Sequence, residues 1–463
     1  MSARVTDDSA ANSRRTFLKA ASTASIAGAW VIRPTWVHAA QSNDSYVKVA
    51  LIGCGARGSG AAAQAMATGL NVKLWAMADA FPDRLDESLK ALQVASTAGD
   101  YNLNKNEKGK GKAFADLIDV APDRRFVGLD AYRKAIDCGS DVVILTGPPA
   151  YRPLHFEYAV KAGKHVFMEK PVATDPAGVR RVLAAAAAAK EKNLKVGVGL
   201  QRHHDPAYVE GVKRIQDGEI GRIVTMRVYW NGGSPAKQPI AREKMSELEY
   251  QVRNWYFFSW LSGDHICEQH IHNLDVGNWI KQGHPVRAEG LGGRQVRVGK
   301  EYGNIFDHHA VEYTYADGTK MFSQCRQIPG CKNTVAEFVE ATDGEAELGN
   351  NRTSLRSKGK VVWQPPKRKS PATSPYQLEH NALFDAILHN KPHNEAEHGA
   401  LSTMTAILGR MATYSGQQIQ WDDAFNSDKV LTTDAESWDA PAPVTALEDG
   451  SYLIPRPGTT KVL

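Results

Sequence analysis

The densest concentration of chemically competent side chains in this 463-residue sequence is Gly263-Asp264-His265-Ile266-Cys267-Glu268-Gln269-His270-Ile271-His272-Asn273-Leu274-Asp275. On a helix, Glu268, His272 and Asp275 fall at i, i+4 and i+7, so a carboxylate on the same face reaches the imidazole and sets its proton affinity. His272 is then placed to take a proton from a hydroxyl as a general base, while Glu268 either tunes it or binds a substrate hydroxyl itself. With His265 added, the same stripe offers ligand types suited to zinc or another divalent ion, and a buried layer of mutually hydrogen-bonded groups is a further reading. We assign no metal to it.

A second chemical segment is Gly53-Cys54-Gly55-Ala56-Arg57-Gly58. It follows a short β-rich run, 47–52, and opens an Ala-rich helical stretch, 59–68. That order lets backbone N–H groups at a helix start approach a pyrophosphate, and it makes Gly53, Gly55, Arg57 and Gly58 cofactor candidates. The next strand, 72–78, ends in Asp79, about twenty residues on, where a carboxylate accepts hydrogen bonds from an adenosine ribose. The same charge repels a 2′-phosphate, so NAD is expected rather than NADP, with Arg84 close enough to soften the preference.

Elements that must position these groups alternate β and α up to about residue 200. Strand 141–145 leads into Thr146-Gly147-Pro148-Pro149 and a helix through residue 160. Strand 165–168 runs into Glu169-Lys170-Pro171, and Asp175-Pro176 opens a helix with a side-chain cap and a proline in its first turn. After strand 196–200 the pattern changes to β segments at 223–230, 286–298, 309–315 and 320–327, with Asp317-Gly318 as a two-residue hairpin turn and helices near 265–281 and 376–414. The predicted architecture is an α/β Rossmann domain over 46–200, an α+β domain with a large open, mostly antiparallel sheet over 201–425, and a C-terminal tail over 426–463. Gln201-Arg202-His203-His204 follows the last Rossmann strand, and Arg253-Asn254-Trp255-Tyr256 precedes the Glu268 segment. Arg202, His203, Arg253, Trp255, Tyr256 and Asp275 are candidates to line a sugar pocket, since aromatic faces with nearby donors suit sugar rings; packing is the competing role.

The N-terminus reads as an export signal. Ser13-Arg14-Arg15-Thr16-Phe17-Leu18-Lys19 is a twin-arginine motif, residues 20–32 are modestly apolar, and Val37-His38-Ala39 or His38-Ala39-Ala40 resembles a cleavage site. Removal of residues 1–40 lowers the formal charge from +5 to +2, so the basic balance belongs mostly to the signal and no nucleic-acid partner is expected. A polar, Gly- and Lys-rich stretch at 96–113 is expected to be an exposed insertion. Five cysteines show no CxxC spacing; a Cys325 to Cys331 bridge is one option. The twin-arginine route carries folded proteins, so a nucleotide enzyme sent to the periplasm must leave with its cofactor bound.

The glycine fingerprint, the Thr146-Gly147-Pro148-Pro149 loop with His155 beyond it, and above all Gly163-Lys164-His165-Val166-Phe167-Met168-Glu169-Lys170-Pro171 resemble the Gfo/Idh/MocA family of oxidoreductases over about 46–425. The resemblance implies a Rossmann domain that binds NAD, a sheet domain that binds a sugar, glycoside or polyol, and a homo-oligomer, dimer or tetramer. It implies that Lys170 sits beside the nicotinamide and assists proton movement on the substrate hydroxyl, and that Thr146, Pro148, His155 and Glu169 border the cofactor. Where the family commonly has Asp-x-x-x-His, this chain has Glu268-x-x-x-His272. Related chemistry on this fold includes a hydrolytic route to glycosides through a transient keto sugar, and a sugar-binding role without catalysis is a third reading.

Overall fold

Val47–Ile52 (β1) and Val72–Asp79 (β2) are nearly continuous apolar runs because helices cover both faces of the parallel sheet they join. Together with Arg125–Val127 (β3), Val142–Leu145 (β4), His165–Met168 (β5) and Val196–Val198 (β6) they form a six-stranded sheet in the order β3-β2-β1-β4-β5-β6, with every pairing parallel. The strand order reverses between β1 and β4, which opens a crevice at the carboxyl ends of the strands. The computed structural model describes residues 46–94, 114–233, 238–242, 244–349, 352–366 and 374–463. The twin-arginine motif, its cleavage site and the 96–113 insertion lie outside the described residues.

The second sheet has nine strands: Ile223–Gly232 (β7), Arg287–Gly293 (β8), His308–Thr314 (β9), Lys320–Gln327 (β10), Thr334–Ala341 (β11), Gly344–Gly349 (β12), Ser354–Ser357 (β13), Lys360–Trp363 (β14) and Ile419–Gln420 (β15). Its order is β14-β13-β12-β11-β7-β10-β9-β8-β15. All pairs are antiparallel except β10 with β7. Strand β10 alternates as a one-sided sheet requires: Met321, Ser323, Cys325 and Gln327 face the core, and Phe322 and Gln324 face outward. The expected fold class holds.

One local expectation is corrected. The β9–β10 connection is a three-residue loop, in which Gly318 N–H bonds Tyr315 O at 2.9 Å and Gly318 sits at φ 85°. The type I turn before that left-handed glycine adds one residue to the loop expected from Asp317-Gly318. The helices expected near 376–414 are Pro375–Leu388 and Ala396–Ser415, with Pro392 in the connection between them. Cys325 and Cys331 are free thiols, the first buried and the second exposed.

Residues 46–463 form one compact unit. Leu383 and Phe384 of the Pro375–Leu388 helix join the apolar cluster on one face of the Rossmann sheet, beside Val49, Leu51 and Phe167. On its other face a second cluster runs without interruption from Ala50 and Val166 to Met226, Tyr313 and Met321 of the large sheet, through Ile271, Leu274 and Met404. Helices Ile271–Lys281 and Ala396–Ser415 thus lie between the sheets, which places the Glu268–Asp275 segment against the carboxyl edge of the Rossmann strands.

Candidate active site

The glycine turn is shaped by contact. Gly53 has φ +96°, and a Cβ on Gly58 would lie 2.0 Å from Gly53 O, so both positions exclude any larger residue. A Cβ on Gly55 would meet nothing within 4 Å, and Gly55 caps the Ala56–Met66 helix without a side-chain bond. Uncapped N–H groups therefore face open space, as a bound pyrophosphate requires. Asp79 does more than close β2: its Oδ2 accepts from Cys54 N–H at 2.6 Å and its Oδ1 from Phe81 N–H at 3.0 Å, tying the strand end to the turn. Burial raises its pKa above the ordinary carboxylate value despite those bonds.

These groups line a cleft of about 400 Å³ together with Arg84, Pro148, Tyr151 and His155. Thr146 spends its hydroxyl on Gly53 O at 2.6 Å and so braces the turn. Burial, followed by the charges of Arg152 and Arg133, lowers His155 to about 3, and its ring stacks on Tyr132 at 4.1 Å. Arg57 and Glu169 pair with each other, Nε to Oε1 at 2.5 Å, and Arg57 also lies 3.6 Å from buried Glu379.

Beyond the cleft, Lys170 Nζ donates to the carbonyl of Glu268 and lies 3.3 Å from its Oε1. Glu268 Oε2 and His272 Nδ1 are buried without a hydrogen-bond partner. The His272 ring stacks at 5.9 Å on Trp230. Burial, then the charges of Lys170 and Arg202, hold His272 well below its ordinary pKa, so the imidazole is neutral and its lone pair available. Tyr256 OH accepts from Gln327 Nε2 at 2.6 Å; burial and the nearby Glu268 charge push its pKa well up.

The continuous catalytic helix is not formed. One helical turn, His265–Glu268, ends before the Ile271–Lys281 helix begins, so Glu268, His272 and Asp275 do not share one face. Glu268 turns to Lys170, and Asp275 turns to His203, His398 and Ser402. The carboxylate-to-imidazole relay is therefore replaced by a Lys170–Glu268 pair beside a separate His272. The four-residue metal stripe disperses for the same reason: His265 bonds Asp264 at 2.9 Å, in a pocket with His309.

Substrate candidates also separate. Arg253 and Trp255 line the nucleotide cleft instead of the region around Lys170. Arg253 is held there by Asp83 at 2.7 and 3.0 Å, with its guanidinium over the Phe81 ring. Arg202 is bound to buried Glu337, which Asn273 and Tyr208 also engage, so its guanidinium is committed to that carboxylate. His203 bonds Asp275 Oδ2 at 2.8 Å. Tyr256 stays near Glu268, whose charge it feels.

Residues not singled out in the sequence matter as much. Arg152, buried, donates to Pro171 O and Gly147 O at 2.5 and 2.6 Å and clamps the two loops that border the cleft. Glu379 and Phe81 carry no sequence signal; their roles depend on which distant strands meet.

A family model described as an oxidoreductase family with an NAD-binding Rossmann fold, Gfo/Idh/MocA, matches residues 47–200. Residues 47–200 are thus similar to the NAD-binding Rossmann domain of that family. The inositol 2-dehydrogenase of Acidiphilium cryptum is 27% identical over 191 residues, covering 41% of this chain and 52% of the relative. That of Klebsiella pneumoniae strain 342 is 38% identical over 143 residues, covering 30% and 35%. The chain spans about half the length or less of these curated relatives. Among solved structures, aldose-aldose oxidoreductase from Caulobacter crescentus superposes with TM-score 0.60 at 17% identity, over 81% of this chain and all of that one. Scyllo-inositol dehydrogenase from Lactobacillus casei, bound to NAD(H) and scyllo-inositol, superposes with TM-score 0.58 at 19% identity, over 82% of this chain and all of that one. At those identities the likeness establishes the shared two-part fold.

Proposed function

We propose that this chain is a periplasmic NAD-dependent oxidoreductase acting on a sugar, glycoside or related polyol, and that it retains and recycles its cofactor. The observation that carries the redox reading is the pair of unspent buried atoms, Glu268 Oε2 and His272 Nδ1, beside Lys170. Buried polar atoms without partners are costly, and vicinal hydroxyls of a polyol supply the missing donors and acceptors. Lys170 polarises the reacting oxygen, neutral His272 takes its proton, and Glu268 orients a neighbouring hydroxyl. Bound NAD supplies the hydride acceptor. Its pyrophosphate would be held by the Gly55 turn and its ribose by Asp79. The inositol dehydrogenases among the relatives favour a polyol.

Retention is supported by residues 427–463. Leu431, Trp438, Val444 and Tyr452 from this segment pack on Phe81, Leu129, Tyr151 and Val252, all of which line the nucleotide cleft. Asp175 caps its helix by accepting from Gly178 N–H at 2.7 Å and anchors the segment by accepting from Leu431 N–H at 2.8 Å. The cleft wall is thus backed by a segment that must move for it to open. Export follows from the arginine pair, and the outward face of the large sheet, with Phe322 exposed, is the proposed surface for a homo-oligomer.

A substrate deuterated at the oxidised carbon should give deuterated product without added nucleotide, even beside an NAD-consuming enzyme. Turnover that stops after one equivalent and resumes only with free NAD would remove the recycling claim, and release of an aglycone would redirect the reading to hydrolysis. Replacing Arg14 and Arg15 together by Lys should trap the precursor in the cytoplasm; normal periplasmic yield would remove the localisation claim.

A further inference from the structure

His203, Asp275 and His398 come from elements far apart in the chain: the turn Gln201–His204, the Ile271–Lys281 helix and the Ala396–Ser415 helix. Their ligating atoms converge. His203 Nε2 lies 2.8 Å from Asp275 Oδ2, His398 Nε2 lies 2.6 Å from Asp275 Oδ1, and the two imidazole nitrogens are 2.7 Å apart.

Protons do not satisfy this triangle. If each Nε2 carries a hydrogen, both donate to Asp275, but two N–H groups then confront each other at hydrogen-bond distance. If only one does, the bare nitrogen turns its lone pair toward a carboxylate oxygen. One cation at the centre removes the conflict, because both imidazole nitrogens and the Asp275 carboxylate, one oxygen beside each imidazole, then face it. Three ligands about 2.1 Å from an octahedral ion and at right angles lie about 3.0 Å apart, so the side chains need to open by only a few tenths of an ångström.

The surroundings fit a metal centre with an open side. Asp275 is buried, and Ser402 Oγ donates to its Oδ1 at 2.8 Å, while Trp279 stacks on the His203 ring at 4.1 Å. Such outer contacts orient ligands. The His398 side chain is 38% exposed, which gives an ion its entry path. The other histidine–carboxylate cluster differs on both counts. Asp264, His265 and His309 are fully buried, which leaves no entry path, and Asp264 Oδ2 accepts from Tyr414 OH at 2.6 Å and from Phe306 N–H at 2.8 Å, so ordinary donors account for that carboxylate.

We propose that His203, Asp275 and His398 form a binding site for a divalent first-row transition ion, with two imidazoles, one carboxylate and water in the remaining positions. The test uses the full purified chain, stripped with a chelator and titrated with Co²⁺ and Zn²⁺. Wild-type protein should take up one equivalent and gain thermal stability, His398→Ala should lose roughly 100-fold or more in affinity, and Ser402→Ala about 10-fold. Because truncation at these positions risks the fold, the zinc-loaded wild type is also examined by X-ray absorption, which should show two imidazole nitrogens at about 2.0–2.1 Å. Absence of stoichiometric uptake, unchanged affinity in folded His398→Ala, or a metal shell without imidazole would each overturn the site.

Discussion

Trp438 offers a direct test of the proposed cofactor retention. Its ring stacks on Phe81 with centroids 5.2 Å apart and 22° between planes, and the Arg253 guanidinium lies 3.9 Å from the Phe81 ring. Phe81 is thus fixed by Trp438 and Arg253, and it lines the cleft. Trp438→Ala removes an aromatic pair worth about 0.5–1.5 kcal/mol and the burial of part of a large ring, about another 1 kcal/mol. If that energy separates the closed wall from an open one, the loss of about 2 kcal/mol raises the rate of cofactor release by roughly 30-fold, at about 1.4 kcal/mol per decade. The assay loads the protein with NADH, chases with excess NAD and follows the fluorescence decay. Trp438→Phe, which retains a stacking partner, should release at close to the wild-type rate. Release from Trp438→Ala within about twofold of wild type, in a protein that still melts cooperatively, would show that the 427–463 segment does not gate the cleft.

Three further outcomes are expected. Lys170→Met and His272→Ala should each lower turnover by roughly 10²-fold or more while leaving NAD bound, read by steady-state kinetics and by nucleotide content; loss of nucleotide with activity would make Lys170 a cofactor residue instead. Asp79→Ser should raise the affinity for NADP relative to NAD, and because Asp79 also holds Cys54 N–H it should weaken NAD binding itself; calorimetry with an unchanged preference would exclude the ribose role. Stability should fall in acid, because burial lowers His165 and His265 to about 4 and His155 and His270 to about 3. The unfolded chain takes up these protons first, so this stabilisation is complete above pH ~6.5 and is lost as pH falls through the folded values, at about 1.4 kcal/mol per pH unit for each group titrating; a melting temperature flat from pH ~7 to ~5 would contradict it.

Local sequence carried the parts of this protein whose physics is local. The glycine turn, β1, β2 and the Asp175–Pro176 helix start depend on neighbours within a few residues: a strand must end, a tight turn must admit a backbone, and a carboxylate must cap N–H groups three positions on. The Asp79 position is legible for the same reason, at the end of a short apolar run that a parallel sheet buries, whereas Lys170 is marked by the family resemblance of the Glu169-Lys170-Pro171 string.

The site itself depends on which distant segments meet. Periodicity put Glu268, His272 and Asp275 on one face, but the helix breaks after Glu268, and the Lys170 ammonium, arriving from β5, takes up that carboxylate. Arg253 reads as a sugar ligand in isolation and is drawn to the nucleotide cleft by Asp83, 170 residues away in sequence. The convergence of His203, Asp275 and His398, and the packing of Trp438 behind Phe81, have no local signature. Sequence by itself determined the strand–turn–helix that binds a dinucleotide, because backbone shape and hydrogen bonding are set within a few residues; only the tertiary structure decided which carboxylate faces which cation, because charge pairing is settled by distances through space that sequence spacing does not encode.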